Sequence, residues 1–138
     1  MSLLDLGDET LDWLSEWMAN TGNDRYEMHS MLTQSIIDEL RDFMHEHNEM
    51  LTFELYRGTQ HDFADGTRSY DTVTSWSHEF EMAELFAPNV MQTVVDESNV
   101  LIDTTLFKPR DIRQHLGGFP DEVEVILLPG NYKIWHAS

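Results

Sequence analysis

Two carboxylates near the C-terminal end carry the first chemical signal in this chain. Glu122 and Glu124 stand two apart in Asp121-Glu122-Val123-Glu124-Val125-Ile126-Leu127-Leu128-Pro129-Gly130. The run from Val123 to Leu128 is aliphatic and β-branched and stops at Pro-Gly, which predicts a buried strand. In a strand, residues i and i+2 face the same way, so both carboxylates would share one face. Paired like charges cost stability unless a cation or a ligand uses them. Taken alone, the pair is also what a solvated strand end in an acidic protein looks like. Two other stretches carry chemistry of different kinds. Arg57-Gly58 ends the stretch Leu55-Tyr56-Arg57-Gly58-Thr59, and an arginine fork can hold phosphate oxygens bidentately. Ser75-Trp76-Ser77 ends another stretch with two hydroxyls.

The elements that must position these residues follow from hydrophobic period. Asp8 or Thr10 can cap a helix to about Ala19, with Leu11, Leu14 and Met18 on one face beside Trp13 and Trp17. After a break at Asn20–Asp24, a longer helix is expected from about Asp24 to His47. Its stripe would be Met28, Met31, Leu32, Ser35, Ile36, Leu40 and Phe43. These Met and Trp stripes read as core. From Met50 the period becomes two, and a strand through Leu51, Phe53 and Leu55 delivers Arg57. A polar loop at His61–Ser69, a strand at Tyr70–Trp76 and a helix at His78–Ala87, capped by Ser77 and ended by Pro88, come next. Val90–Val95 and Val100–Thr105 read as strands. Phe107–Phe119 reads mostly as loop, with one helical turn near Asp111–His115. Val123–Leu128 and Tyr132–His136 are expected to form a closing hairpin. No repeat or linker divides residues 1–138, which predicts a single α+β domain, helical over 1–49 and β-rich over 50–138.

Composition narrows the function. The chain has 138 residues and no cysteine, so disulfides, thiolate metal sites and a cysteine nucleophile are excluded. No apolar run reaches membrane-spanning length, and the acidic N-terminal stretch lacks the basic region of a signal peptide; the expected location is cytoplasmic. The histidines at 45, 47 and 61 lack the i, i+4 spacing that places two ligands on one helix face, so no metal site is expected. The formal net charge is −18, with lysine only at Lys108 and Lys133. Such a surface repels nucleic-acid phosphates and attracts basic protein surfaces. Solubility, a high-salt cytoplasm and imitation of DNA all remain compatible with it.

An arginine strand, a Ser-x-Ser strand and a Glu-x-Glu strand, in that order, resemble the mono-ADP-ribosyltransferases of the Arg-Ser-Glu class, and the short N-terminal part is similar to that of phage and bacterial minimal members. The resemblance runs from about Met50 onward. It includes Ala83 and Phe86 after Ser75-Trp76-Ser77, then Asp111-Ile112, Phe119-Pro120 and Leu128-Pro129-Gly130. It implies N-terminal helices flanking two small, mainly antiparallel sheets packed around an NAD cleft. It also implies transfer of ADP-ribose from NAD to a protein, with release of nicotinamide. The Glu-x-Glu form, as opposed to Gln-x-Glu, implies an arginine acceptor. By this resemblance Glu124 stabilises the ribosyl oxocarbenium ion, Glu122 is the general base, and Arg57 holds the diphosphate. Gly58 admits the nicotinamide amide, Ser75 orients Glu124 and the ribose, Ser77 ties down its strand or contacts NAD, and Phe119 touches the target protein. The implied partner is a basic host protein, and the implied role that of a phage or bacterial effector. An acidic, non-catalytic DNA mimic or decoy and an NAD glycohydrolase are the competing expectations.

Overall fold

The computed structural model describes residues 5–19, 31–117 and 120–137. Helix α1 spans Asp8–Ala19, and Asp8 and Glu9 in its first turn complement the positive end of the helix dipole. Its buried side is Thr10, Trp13, Leu14, Trp17 and Met18, which keeps the expected Leu14, Met18 and both tryptophans but takes in Thr10 and leaves Leu11 half-buried; the Trp13 and Trp17 rings stack at 5.3 Å. Helix α2 spans Gln34–His47 and starts later than its apolar period suggested. Thr33 is extended there, and its hydroxyl accepts the Ile36 N–H at 3.3 Å, an N-cap that fixes the boundary. Met31 and Ser35 are consequently exposed, and the buried stripe is Ile36, Leu40, Phe43 and Met44. Met28 lies outside the described residues. His45 is exposed and His47 half-buried in the last turn, where a helix end favours a cation. No described helix is long and apolar enough to cross a membrane.

Seven strands follow: β1 Thr52–Thr59, β2 Gly66–Tyr70, β3 Thr74–Ser77, β4 Asn89–Asp96, β5 Val100–Asp103, β6 Glu124–Leu127 and β7 Gly130–His136. They hydrogen-bond in the order β2-β7-β4-β1-β3-β6-β5, every pair antiparallel. The molecule is therefore α+β, as expected, with one hydrogen-bonded series of strands where two separate small sheets were anticipated. The narrow point of that series is the β1–β3 joint, registered through Tyr56↔Ser77 alone, whereas β1 and β4 pair along their whole length from Thr52↔Asp96 to Thr59↔Asn89. Helix α3, Phe80–Phe86, follows β3 and packs on β1. One cluster of buried apolar side chains takes in α1, α2 and the strands, with Leu14, Leu40, Phe53, Ile102 and Ile126 in it.

Three expectations are corrected here. The closing hairpin is absent: β6 pairs with β3 and β5, and β7 with β2 and β4. All four residues of β6 are buried, so this strand takes a central place with a partner on each side. The polar stretch 61–69 is not all loop, because Gly66–Tyr70 forms β2 against β7. It is an edge strand with four of its five residues exposed, so no apolar alternation marks it. The expected strand Tyr70–Trp76 is divided accordingly, Tyr70 ending β2 and Thr74 opening β3.

Gly58 has a packing reason to be glycine. A Cβ there would lie 2.3 Å from the Ala83 carbonyl oxygen and 3.0 Å from the Ala87 nitrogen, both backbone atoms that cannot swing aside. Gly58→Ala is expected to push α3 off β1 and to destabilise the fold by about 1–3 kcal/mol, the usual range for overpacking. Urea unfolding at an unchanged m-value measures it.

The chain between β1 and β2 is fastened to the end of β7 by His136. Its Nδ1 lies 2.9 Å from Asp65 and its Nε2 3.2 Å from Asp62, and the Phe63 ring stacks on the imidazole at 4.1 Å. Hydrogen bonds to Asp62 and then Asp65 raise the His136 pKa above 6.5, and the bond from His136 lowers that of Asp62 below 3.8. A raised histidine stabilises fully below 6.5 and loses that stabilisation as pH rises through its folded value. A lowered aspartate stabilises above 3.8 and loses it as pH falls through its own folded value. The clasp is thus tightest in mildly acidic solution. A proton NMR titration should place the His136 imidazole above free histidine, and Asp62→Asn with Asp65→Asn should return it toward 6.5.

Candidate functional site

Strand β6 opens on Glu124, a carboxylate only 2 % exposed. Antiparallel register sets Ser77 opposite Glu124 and Ser75 opposite Ile126, so Ser75 and Glu124 are diagonal neighbours on one face. The Ser75 hydroxyl donates to Glu124 Oε2 at 2.5 Å. The main-chain oxygen of the same serine accepts Arg57 Nη1 at 2.7 Å. Arg57 arrives from β1, and it is the Tyr56↔Ser77 joint that brings β1 beside β3 at this point. Arginine, serine and glutamate, far apart in the sequence, therefore meet. Burial lowers the Arg57 pKa, Tyr70 and Glu124 favour its charge, and neighbouring Arg68 opposes it. Arginine remains a cation throughout the range in which proteins are handled.

Ser77 has a different place. It is buried, donates to the Glu122 carbonyl at 2.8 Å and accepts the Glu79 N–H at 3.1 Å. Its hydroxyl is thus a tie between the end of β3, the start of α3 and the turn before β6. The bulky Trp76 between the two serines alternates to the other side of β3. It is 2 % exposed there, with its indole N–H on Thr74 Oγ1 at 2.8 Å, so its size is absorbed by the core.

The two glutamates do not share a strand face. Glu122 closes a 3₁₀ turn, Pro120–Glu122, and Val123 follows with φ +43°, so the extended alternation begins only at Glu124. Left-handed backbone is rare for a β-branched residue and costs of order 1–3 kcal/mol. Here it is held by three bonds: Ser77 Oγ on the Glu122 carbonyl, the His78 N–H on the Val123 carbonyl at 3.2 Å, and the Val123 N–H on the Pro120 carbonyl at 3.1 Å. The His78 side chain is anchored in turn, its Nε2 2.8 Å from buried Asp103 on β5. Glu122 is half-buried and is the last residue of this tied turn. Like-charge crowding along a strand, the anticipated cost of the pair, is replaced by local backbone strain. Phe119, the expected target contact, lies outside the described residues.

One member of the site had no mark in the sequence. Trp17 of α1 donates its indole N–H to Glu124 Oε2 at 2.8 Å, inside the core and 107 positions away. Its helical stripe reads as core, and Trp17 is 5 % exposed. The available signal was generic: a buried indole N–H needs an acceptor, and the sequence does not say which. No protein-family model, curated protein or solved structure matches the chain significantly.

Proposed function

We propose that this chain is an NAD-dependent mono-ADP-ribosyltransferase that modifies arginine on a basic protein partner. The observation that carries the reading is the meeting of Arg57, Ser75 and Glu124, from three strands, at the joint between β1 and β3. NAD as co-substrate would lie at that joint, between the β2-β7-β4-β1 and β3-β6-β5 halves, which then act as the two small sheets of the resembled fold. Its diphosphate pairs with the Arg57 fork, and the Gly58 main chain sits beside the nicotinamide amide. Ser75 and Arg57 are only half-buried, so the ribose approaches Glu124 from their side.

The glycosidic bond from ribose C1′ to the nicotinamide nitrogen breaks, and its electron pair leaves with neutral nicotinamide. Positive charge grows on C1′ and its ring oxygen, next to a carboxylate already in place. A preorganised charge stabilises that transition state without having to reorganise as it forms. The arginine nitrogen then bonds to C1′, and the proton it sheds passes to Glu122 as general base. The products are ADP-ribosylated arginine, nicotinamide and a proton. The −18 charge draws a basic target and suits an effector acting in a host cytoplasm.

Incubation with labelled NAD and a bacterial lysate tests this reading, with mass spectrometry of the labelled side chain. ADP-ribose on arginine is the expected result. Nicotinamide release without labelled protein would identify a glycohydrolase. Absence of both NAD binding and turnover, with retention of a basic partner, would identify the acidic decoy.

A further inference from the structure

We infer that Trp17 is a positioning residue for the Glu124 carboxylate, so that the N-terminal helix α1 is part of the catalytic apparatus. The inference rests on the NAD reading of the site given above and goes beyond it by adding an element outside the Arg, Ser-x-Ser and Glu-x-Glu strands. Ser75 Oγ and Trp17 Nε1 reach the same oxygen, Oε2, at 2.5 and 2.8 Å. Rotation of the carboxylate about its terminal bond would break both contacts together. The serine belongs to the neighbouring strand, whereas the tryptophan comes from a helix held by its own packing. Trp13 stacks on it at 5.3 Å, and Ser15 Oγ on the same helix donates to the Leu116 carbonyl at 3.3 Å. An indole N–H is a neutral donor with no proton to lose near neutrality. It therefore fixes and stabilises an ionised carboxylate without competing for the reaction's proton. Burial strengthens the contact, since water does not compete for either partner.

A core tryptophan and a positioning tryptophan differ in what removal of a single N–H does. Trp17→Phe keeps an aromatic ring against Trp13 and loses the donor. A tryptophan analogue with sulfur in place of the indole N–H, introduced at position 17, keeps shape and volume and loses only the donor. Both are expected to lower kcat for nicotinamide release about 10–100-fold, the scale of one hydrogen bond to a charged group. KM for NAD should stay within about twofold, because the loss falls on the transition state. A second readout needs no NAD. In the nitrogen–proton NMR spectrum of the full chain, Trp17→Phe identifies the Trp17 indole signal, which should lie downfield and move upfield in Glu124→Ala. A signal indifferent to Glu124→Ala overturns the contact, whatever the kinetics. A signal that moves, with kcat unchanged in the folded sulfur analogue, overturns the positioning role. If the signal moves but the wild-type chain never turns over NAD, the proposed function has failed, and the positioning role falls with it.

Discussion

Glu124→Gln should lose nicotinamide release and protein labelling together, each by about 10²–10³-fold, the range seen when one preorganised stabilising group is removed. Glu124 is 2 % exposed and its Oε2 carries two donors, so the carboxylate is fixed before any substrate arrives. Glutamine has nearly the same shape, and its amide oxygen can still accept from Ser75 and Trp17. What it lacks is the negative charge that opposes the cation growing on C1′. That cation forms whether the incoming nucleophile is water or a guanidine, so both outcomes depend on the charge equally. The fold should suffer little from the substitution, and a thermal melt within a few degrees of wild type is expected. Glu124→Ala differs: it strips the acceptor from two buried donors and should cost stability as well as activity. Kinetics on melt-checked Glu124→Gln separate these effects. Retention of either activity at wild-type rate would remove Glu124 from the chemistry.

What could be read before the fold was known, and what could not, divides along a physical line. α1, β1 and β4 announce themselves because each buries a periodic face, and a period of 3.6 or 2 is a local property. Arg57, Ser75 and Glu124 were legible through the order of three short motifs. Partner choice was not local. β6 looks equally fit for a hairpin with β7, and only its complete burial between β3 and β5 decides otherwise. β2 went unseen because an exposed edge strand has no apolar side to display. The start of α2 at Gln34 was decided by a threonine cap against a stripe that continued upstream. Val123 is the hardest case. A valine that opens an aliphatic run argues for extended backbone, and its φ of +43° is held by the Ser77 hydroxyl on the Glu122 carbonyl, the His78 N–H on its own carbonyl and its own N–H on the Pro120 carbonyl. Trp17 illustrates the same limit from the side-chain end, since its acceptor is chosen by packing across the whole chain.

Glu122→Ala should abolish labelling of arginine while nicotinamide release from NAD continues close to the wild-type rate. The backbone is what allows two neighbouring glutamates such different consequences. Glu124 is the first residue of a buried strand, whereas Glu122 ends a 3₁₀ turn on the far side of the left-handed Val123. The turn is tied through main-chain atoms, with Ser77 on the Glu122 carbonyl, a bond that removal of the Glu122 side chain does not touch. The chemistry assigns the two carboxylates opposite partners. An arginine side chain is protonated at neutral pH and is a poor nucleophile until it gives a proton to a nearby base. Water attacking the same cation has no such requirement at this step, so hydrolysis survives. Glu122→Gln should match Glu122→Ala, because an amide is no base. Were Glu122 merely a surface charge in an acidic chain, both substitutions would leave labelling unchanged and at most raise the melting temperature slightly. Nicotinamide release and protein labelling, followed on the same preparation of each variant, distinguish the outcomes. Equal loss of both activities in Glu122→Gln would place Glu122 with Glu124 in breaking the glycosidic bond and end the division of labour between them.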